Sequence, residues 1–380
     1  MIAGVVGCLS NARRAKPRME EAVHEQQPDN APRPEDSTLR RTDFGADMSD
    51  RLSLGVVMPT RNSAALLPRH VAGLRNWLDL ADQVVVVDSF STDGTLEALR
   101  RDIKHPNLEF LSHPPGLYQS WNFGIQRLTT DYAYIATVGD TITRKGLQLL
   151  AATARSLQCD AVISKPEFQN LKGQPVEIVW PIDDIIATLG IEVPRRLNRL
   201  EALVFACVHA AGALTGSCAS DLFRTSVLKR FPFPTDFGTA GDGAWGLMHA
   251  AEISWGVVPG RFSTFVLHPP NASPTEKQTY VNARRADEVL SETVSAWRRA
   301  GVVTEEELAL ARWSELSTAL TQFLNAKTQF DQCRKESFPW ILKPKAWQTR
   351  IRRQHSLAKL RTIKGRALGS LPTALPPLNI

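Results

Sequence analysis

The chain has no CxxC pair, and its five cysteines (Cys8, Cys159, Cys207, Cys218 and Cys333) are scattered over 380 residues. That spacing excludes a disulfide scaffold or a zinc finger and suits reduced thiols in a cytoplasmic protein. No apolar run approaches the roughly 18–20 residues of a membrane helix. No positive charge precedes the apolar stretch of the opening MIAGVVGCLS, so it makes a poor secretory signal. No Walker phosphate loop and no internal repeat occur. Acidic residues are also missing after Glu336. Nine Lys and Arg follow that point while the whole chain carries +6, so everything before it is net about −3, six less nine. The basic character therefore belongs to residues 336–380, read as a basic tail.

What is present fits a globular protein. Hydrophobic residues make up 43%, enough for a sizeable core. Residues 1–50 are rich in Arg, Glu, Pro and Gln and are expected to be disordered, having too little apolar surface to bury. From Leu52 the pattern changes. Buried-strand runs (LSLGVVMPT, QVVVVDS, LEFLSH, YAYIATV, DAVISK) alternate with helical spacing over 64–79, 92–101, 120–128 and 145–157. Alternation of this kind predicts βαβ units in a mixed, mostly parallel α/β sheet, with ligands at the carboxyl ends of the strands. Residues 178–215 read as helical, 263–267 as a strand, and 276–335 as a helical extension.

Four polar loops fall at those carboxyl ends: Pro59-Thr60-Arg61-Asn62, Asp88 to Thr95, Gly116 to Asn122, and Val138-Gly139-Asp140-Thr141. Asp88, ending a buried strand, suits hydrogen bonds from a base or a ribose. Asp93-Gly94 turns tightly into a helix whose N-terminus favours negative charge. Taken alone, the second loop serves equally as a nucleotide cradle or as an ordinary strand-to-helix turn with an Asx cap.

The four loops together, MPTRN…VVVVDSFSTDGT…GLYQSWNFGI…YIATVGD, resemble inverting family 2 glycosyltransferases of the GT-A fold. Those read (I/V)PTYN, VVDDGSTDGT, a helix with Asn-Gly-Ile, and FLDADD. The resemblance is strong over about 52–150 and looser over 150–270. It implies a GT-A-like nucleotide-diphospho-sugar transferase domain over 51–275, with a donor half at 51–165 and an acceptor half at 166–275. It implies that Pro59, Thr60, Arg61, Asn62, Asp88, Ser91, Asp93, Asn122, Gly139 and Asp140 bind a nucleotide-sugar donor, with UDP-sugar favoured. Arg61 stands in place of a common Tyr, Ser89 in place of a second Asp, and Trp121 in place of an Arg. Of the family's Asp-x-Asp-Asp, only Asp140 is retained. With His268, from STFVLHPPN, it is the expected holder of a divalent cation, Mn²⁺ or Mg²⁺. In TDFGTAGDGAWGLMHA, Gly241-Asp242 falls where the family has Glu-Asp, which implies Asp242 as the catalytic base that takes the acceptor's proton.

Each of these residues also has a plainer reading. Asp242 suits the cap of the helix that follows it, and Asp236 and Asp221 are weaker alternatives as the base. A His after a strand is usually structural. Trp121 and Trp245 suit either a sugar platform or the core, while His209 and His249 read as packing or surface residues. In the tail, Ile351, Leu357, Leu360 and Ile363 lie among Arg and Lys at nearly helical spacing, which suits a basic amphipathic helix on an anionic membrane or a solvated tail. Nucleic acid is not expected as a partner, since no recognition motif accompanies the charge. The resulting expectation is an inverting sugar transfer to a saccharide or lipid-linked acceptor in cell-surface polysaccharide or glycolipid synthesis, peripheral at the inner face of the membrane. A scaffold that binds nucleotide-sugar without turnover, or a nucleotidyltransferase, are the other classes in play.

Overall fold

β1 (Leu54–Thr60) is buried at all seven residues, as a strand covered on both faces must be. It heads a computed structural model that describes residues 52–178, 180–209, 214–215, 218–267, 276–336 and 344–371, all within one compact unit. Residues 1–50, expected to be disordered, lie outside the described residues. After β1 come α1 (Leu67–Leu74), β2 (Gln83–Asp88), α2 (Thr95–Asp102), β3 (Leu108–Ser112), α3 (Leu117–Arg127) and β4 (Tyr132–Ile135). The four strands run parallel in the order β3-β2-β1-β4. Successive side chains alternate between the faces. Val56, Met58, Val84 and Val86 enter one core with α1 and α2. Val57, Val85 and Val87 enter the other, with α3.

Two local choices let this half form. Gly124 brings α3 onto the sheet, because a Cβ there would lie 2.5 Å from Val57 Cγ1 and 2.9 Å from Val87 Cγ2. Pro59 sits in a central strand at no cost to the ladder. The Val57 carbonyl accepts from Ala136 N–H on the β4 side, so two residues on Pro59 faces the same side, where the paired register has already ended at Ile135.

The chain continues through β5 (Thr141–Ile142), α4 (Arg144–Ser156), β6 (Ala161–Gln169), α5 (Pro181–Leu189), β7 (Arg195–Arg196), α6 (Arg199–His209), β8 (Asp221–Arg224), α7 (Thr225–Arg230), α8 (Gly241–Met248), β9 (Trp255–Val266), α9 (Glu276–Ala300), α10 (Glu305–Leu310), α11 (Trp313–Glu336) and α12 (Pro344–Leu368). β8 joins β4 antiparallel and turns the sheet over, β6 pairs antiparallel with β8, and β9 runs parallel to β6. β5 and β7 both pair antiparallel with β9.

The second half departs from its sequence pattern. Residues 178–215 hold two helices, because Gly190 ends α5 in a left-handed conformation, φ 59°, and β7 intervenes. β9 starts at Trp255, well before the expected 263, because Pro259 and Gly260 bulge the strand instead of ending it. The register against β6 shifts beside Lys165. α12 runs unbroken through Gly365, and Leu360, Ile363 and Ala367 are buried in the main core. Three of the four apolar residues read as membrane-facing are thus packed against the protein, Leu357 partly. Ile351 is 59% exposed and Trp347 50% exposed. Among the described residues, no helix is long and apolar enough to cross a membrane. The described cysteines, Cys159, Cys207, Cys218 and Cys333, are buried thiols.

Candidate functional site at the carboxyl edge of the sheet

Register places Thr60 beside Asp88 at the ends of β1 and β2. The loops that follow are bonded to each other. Ser89 N–H donates to the Thr60 carbonyl at 2.9 Å. Asn62 N–H donates to Ser91 Oγ at 2.9 Å, and Thr92 N–H to Asn62 Oδ1 at 2.9 Å. Asp88, buried, accepts from Ser91 N–H at 3.0 Å and Ser91 Oγ–H at 2.5 Å, one on each carboxylate oxygen. A carboxylate has about four acceptor positions, so both oxygens retain capacity for a ligand. Thr60 Oγ1 is buried without a hydrogen-bond partner among the described residues. Arg61 is exposed.

Asp93 and Asn122, both expected at the donor, make bonds within the protein. Asp93 joins the loops, accepting from Ala64 N–H at 2.9 Å and from Thr95 N–H at 3.1 Å. The Thr95 hydroxyl bond and then the Ala64 amide hold its carboxyl below the usual range. Asn122 spends both arms of its amide on the Phe233 backbone, donating to the carbonyl at 2.8 Å and accepting from N–H at 3.0 Å. It clamps α3 to the segment before α8.

The fourth loop turns at Gly139, φ 105°. Asp140 is buried, and its Oδ1 accepts from Val266 N–H at 3.0 Å. Its carbonyl lies 3.0 Å from Nδ1 of His70, which makes Nδ1 the protonated nitrogen. Burial pushes the His70 pKa down to about 4, against the carbonyl bond, which raises it. His268 lies outside the described residues. Among those described, no group of three or more His, Cys, Asp or Glu converges. Asp140, with one oxygen already committed, does not amount to a metal cage by itself.

His70 gives the fold an acid sensitivity, and so does His209, which burial pushes down to about 3. Unfolded, each histidine takes a proton near 6.5; folded, neither does until far lower. Stability is therefore complete above about pH 6.5 and falls as the pH drops towards 4, by about 2 kcal/mol per histidine between pH 7 and 5. Asp242 and Asp184, both raised mainly by burial, act in the opposite sense. Urea unfolding of the wild type and His70→Gln at both pH values isolates the His70 share: the variant is expected to lose about 2 kcal/mol less. Equal losses would contradict the buried neutral imidazole.

Asp242 opens α8. Its Oδ1 lies 3.0 Å from Tyr118 Oη and accepts from Gly243 N–H at 2.7 Å. Burial raises its pKa, while the Gly243 and Tyr118 bonds oppose the rise. Tyr118, on α3, is the partner the sequence reading missed, and it accounts for the missing Glu. A Cβ at Gly241 would lie 2.5 Å from the Tyr118 ring and 2.6 Å from the Pro234 carbonyl. In this chain Gly241 makes room for the ring that holds Asp242. Burial is the main cause that raises the Cys218 thiol, and the charges of Asp242, Asp221 and Asp140 act in the same direction.

The weaker candidates fall into place around this arrangement. Asp236 is exposed and ion-paired with Arg285 at 3.6 Å, and Asp221 is wholly buried on β8. Trp121 and Trp245, 4% and 0% exposed, belong to an aromatic core with Tyr118, Phe223 and Phe233. His209 packs at the end of α6 beside Asp184, and His249 stacks on Phe231 at 4.3 Å. One string escaped the sequence reading: Gly241-Asp-Gly243-Ala-Trp-Gly246 has the Gly-x-Gly-x-x-Gly spacing of a dinucleotide fingerprint. It opens a helix that follows a short 3₁₀ turn rather than a parallel strand, so it lacks the setting that gives the motif its meaning.

Residues 55–213 match the family model described as Glycosyl transferase family 2. The chain carries a glycosyltransferase domain. With its parallel half, antiparallel turnover and carboxyl-edge loops, the transferase domain has the mixed α/β, GT-A-like fold that the sequence implied. No curated protein matches the chain. Among solved structures it resembles S. aureus TarS 1-349 in complex with UDP, at 16% identity over 86% of this chain and 95% of that one, TM-score 0.44. TarS 1-349 in complex with UDP-GlcNAc matches at 16% over 83% and 91%, TM-score 0.45. A further S. aureus TarS structure matches at 18% over 83% and 55%, TM-score 0.43. These likenesses are loose.

Proposed function

We propose that the transferase domain moves one sugar from a nucleoside diphosphate to an acceptor hydroxyl, inverting the anomeric centre. The observation that carries this reading is the pair of cross-bonded loops at the ends of β1 and β2, within the segment that matches the family model. The donor's base and ribose lie against Pro59, Thr60, Arg61 and Asp88, with Asn62 and Ser91 fixing the loops. A UDP-sugar is the favoured donor. The diphosphate lies towards Gly139 and Asp140. A Mn²⁺ or Mg²⁺ ion would be held there by Asp140, with His268 as the second expected ligand, and would supply charge neutralisation to the leaving group.

The chain's own residues then account for acceptor activation. Asp242 Oδ takes the proton from the acceptor hydroxyl as its oxygen forms a bond to the anomeric carbon, and the bond to the nucleoside diphosphate breaks. Burial gives the carboxylate the raised basicity that this transfer needs, and the Tyr118 hydroxyl fixes its direction. The test is nucleoside diphosphate release from a panel of nucleotide-sugars with saccharide and lipid-linked acceptors, and NMR of the product anomer. Inverted product supports the reading, retained product removes Asp242 as the base, and binding without turnover favours a scaffold.

The acceptor is proposed to be a saccharide or lipid-linked precursor of a cell-surface polysaccharide or glycolipid, reached from the cytoplasmic side. α12 is the proposed membrane contact, through a face to which the stripe read in the sequence contributes only Ile351. Trp347 and Ile351 are exposed, as are Arg350, Arg352, Lys359, Arg361 and Arg366 along the same helix, and each basic residue near an anionic bilayer contributes about 1 kcal/mol. Wild-type protein is expected to sediment with phosphatidylglycerol vesicles and Trp347→Glu/Ile351→Glu to remain in the supernatant. Equal sedimentation of both would remove this face from the account.

A further inference from the structure

Phe90 stands between two residues that are tied down. Ser89 is buried, donates its N–H to the Thr60 carbonyl and has its hydroxyl 2.9 Å from that of Ser120. Ser91 bonds to both oxygens of Asp88 and accepts from Asn62. Phe90 itself is 57% exposed, with a left-handed backbone, φ 55°. A phenylalanine suits neither condition. Its Cβ crowds the following carbonyl in that region, and its ring leaves apolar surface in water. The string that this loop resembles reads Asp-Asp-Gly-Ser, with glycine at this place, where the chain reads Asp88-Ser89-Phe90-Ser91. Strain of this kind, held by surrounding bonds at the edge of a ligand site, points to a role in binding.

We propose that Phe90 is the lid of the nucleobase: its ring stacks on the planar heterocycle of the donor while Asp88, two residues away, meets the polar edge. The inference rests on the donor-binding reading and adds a residue to it. Every base presents a π-face, so the ring supplies affinity shared by all nucleotides and leaves the choice of base to Thr60, Arg61 and Asp88. The diphosphate lies at the other end of the donor and does not touch the ring.

The experiment is calorimetric titration of the full chain with UDP, CDP and inorganic pyrophosphate, for wild type, Phe90→Gly, Phe90→Leu and Phe90→Tyr. Phe90→Gly and Phe90→Leu are expected to weaken UDP and CDP about tenfold each, Phe90→Tyr to stay within about twofold, and pyrophosphate to be unaffected. Phe90→Gly is also expected to melt at or above the wild-type temperature, since glycine accepts φ 55° without crowding. UDP binding by Phe90→Gly as tight as by wild type would overturn the lid, as would Phe90→Leu matching Phe90→Tyr, or pyrophosphate weakening in step. A wild type that binds no nucleotide removes the donor reading and the lid with it. A wild type that binds without depending on Phe90 removes the lid alone.

Discussion

Asp242→Asn is expected to lower sugar transfer by about a hundred- to ten-thousandfold, the usual contribution of a positioned general base, while leaving donor affinity within about twofold. The substitution keeps an oxygen where Oδ1 accepts from Gly243 N–H and faces Tyr118 Oη. α8 and its approach to α3 are therefore expected to survive, and lost stability does not explain lost turnover. A purely capping Asp242 predicts that neither transfer nor melting changes, because an asparagine caps as well as an aspartate. The pH profile gives a second reading of the same group. The base must be ionised to work, and burial raises Asp242 above its ordinary value of 3.8. The acid limb of the rate is therefore expected above the ordinary carboxylate range, and to vanish from the residual rate of the variant. Steady-state kinetics between about pH 4 and 8 measure both effects.

Trp245→Ala carries the largest expected loss of stability. The ring is fully buried, 0% exposed, edge-on to Phe223 at 5.4 Å and Trp255 at 5.9 Å, and its Nε1–H donates to the Phe231 carbonyl at 2.6 Å. Removing a core Trp costs about 3–5 kcal/mol, and the abandoned carbonyl adds on the order of 1 kcal/mol. Against a total of about 5–15 kcal/mol, the variant is expected to be partly unfolded near 37 °C. Trp245→Phe fills most of the volume and loses only the hydrogen bond with part of the packing, so it is expected to retain more than half of that difference. Urea denaturation of both variants decides the point. A loss below about 1 kcal/mol for Trp245→Ala would return this residue to the surface role of a sugar platform.

The donor half was legible because its signals are local. A valine run buried on both faces, a turn at Asp93-Gly94 and a helix at 3.6 spacing each act within about ten residues, and β1 to β4 follow them. The place of Asp242 in the first turn of α8 was legible from its string. Tyr118 was not, because its partner lies 124 residues away and only the space left by Gly241 shows why a Tyr is wanted there. Asn122 read as a donor ligand, but its two bonds to Phe233 are tertiary and leave no mark on either local sequence. β9 was half missed because Pro259 and Gly260 signal a turn wherever a bulge is not in view. The tail misled for a related reason: helical spacing of Leu357, Leu360 and Ile363 shows that a helix has an apolar face, not whether lipid or α11 covers it.

The most direct test of the account is a thermal-shift panel of UDP, GDP, dTDP and CDP, each with and without Mn²⁺ or Mg²⁺, on wild type, Asp88→Ala and Asp140→Ala. A ligand that binds only the folded state adds about 2.7 kcal/mol at a hundredfold excess over its dissociation constant. The account predicts a rise in melting temperature with UDP above the other three, reduced in Asp88→Ala, and a cation-dependent increment lost in Asp140→Ala. No shift with any nucleotide, with or without cation, would contradict donor binding at this edge of the sheet.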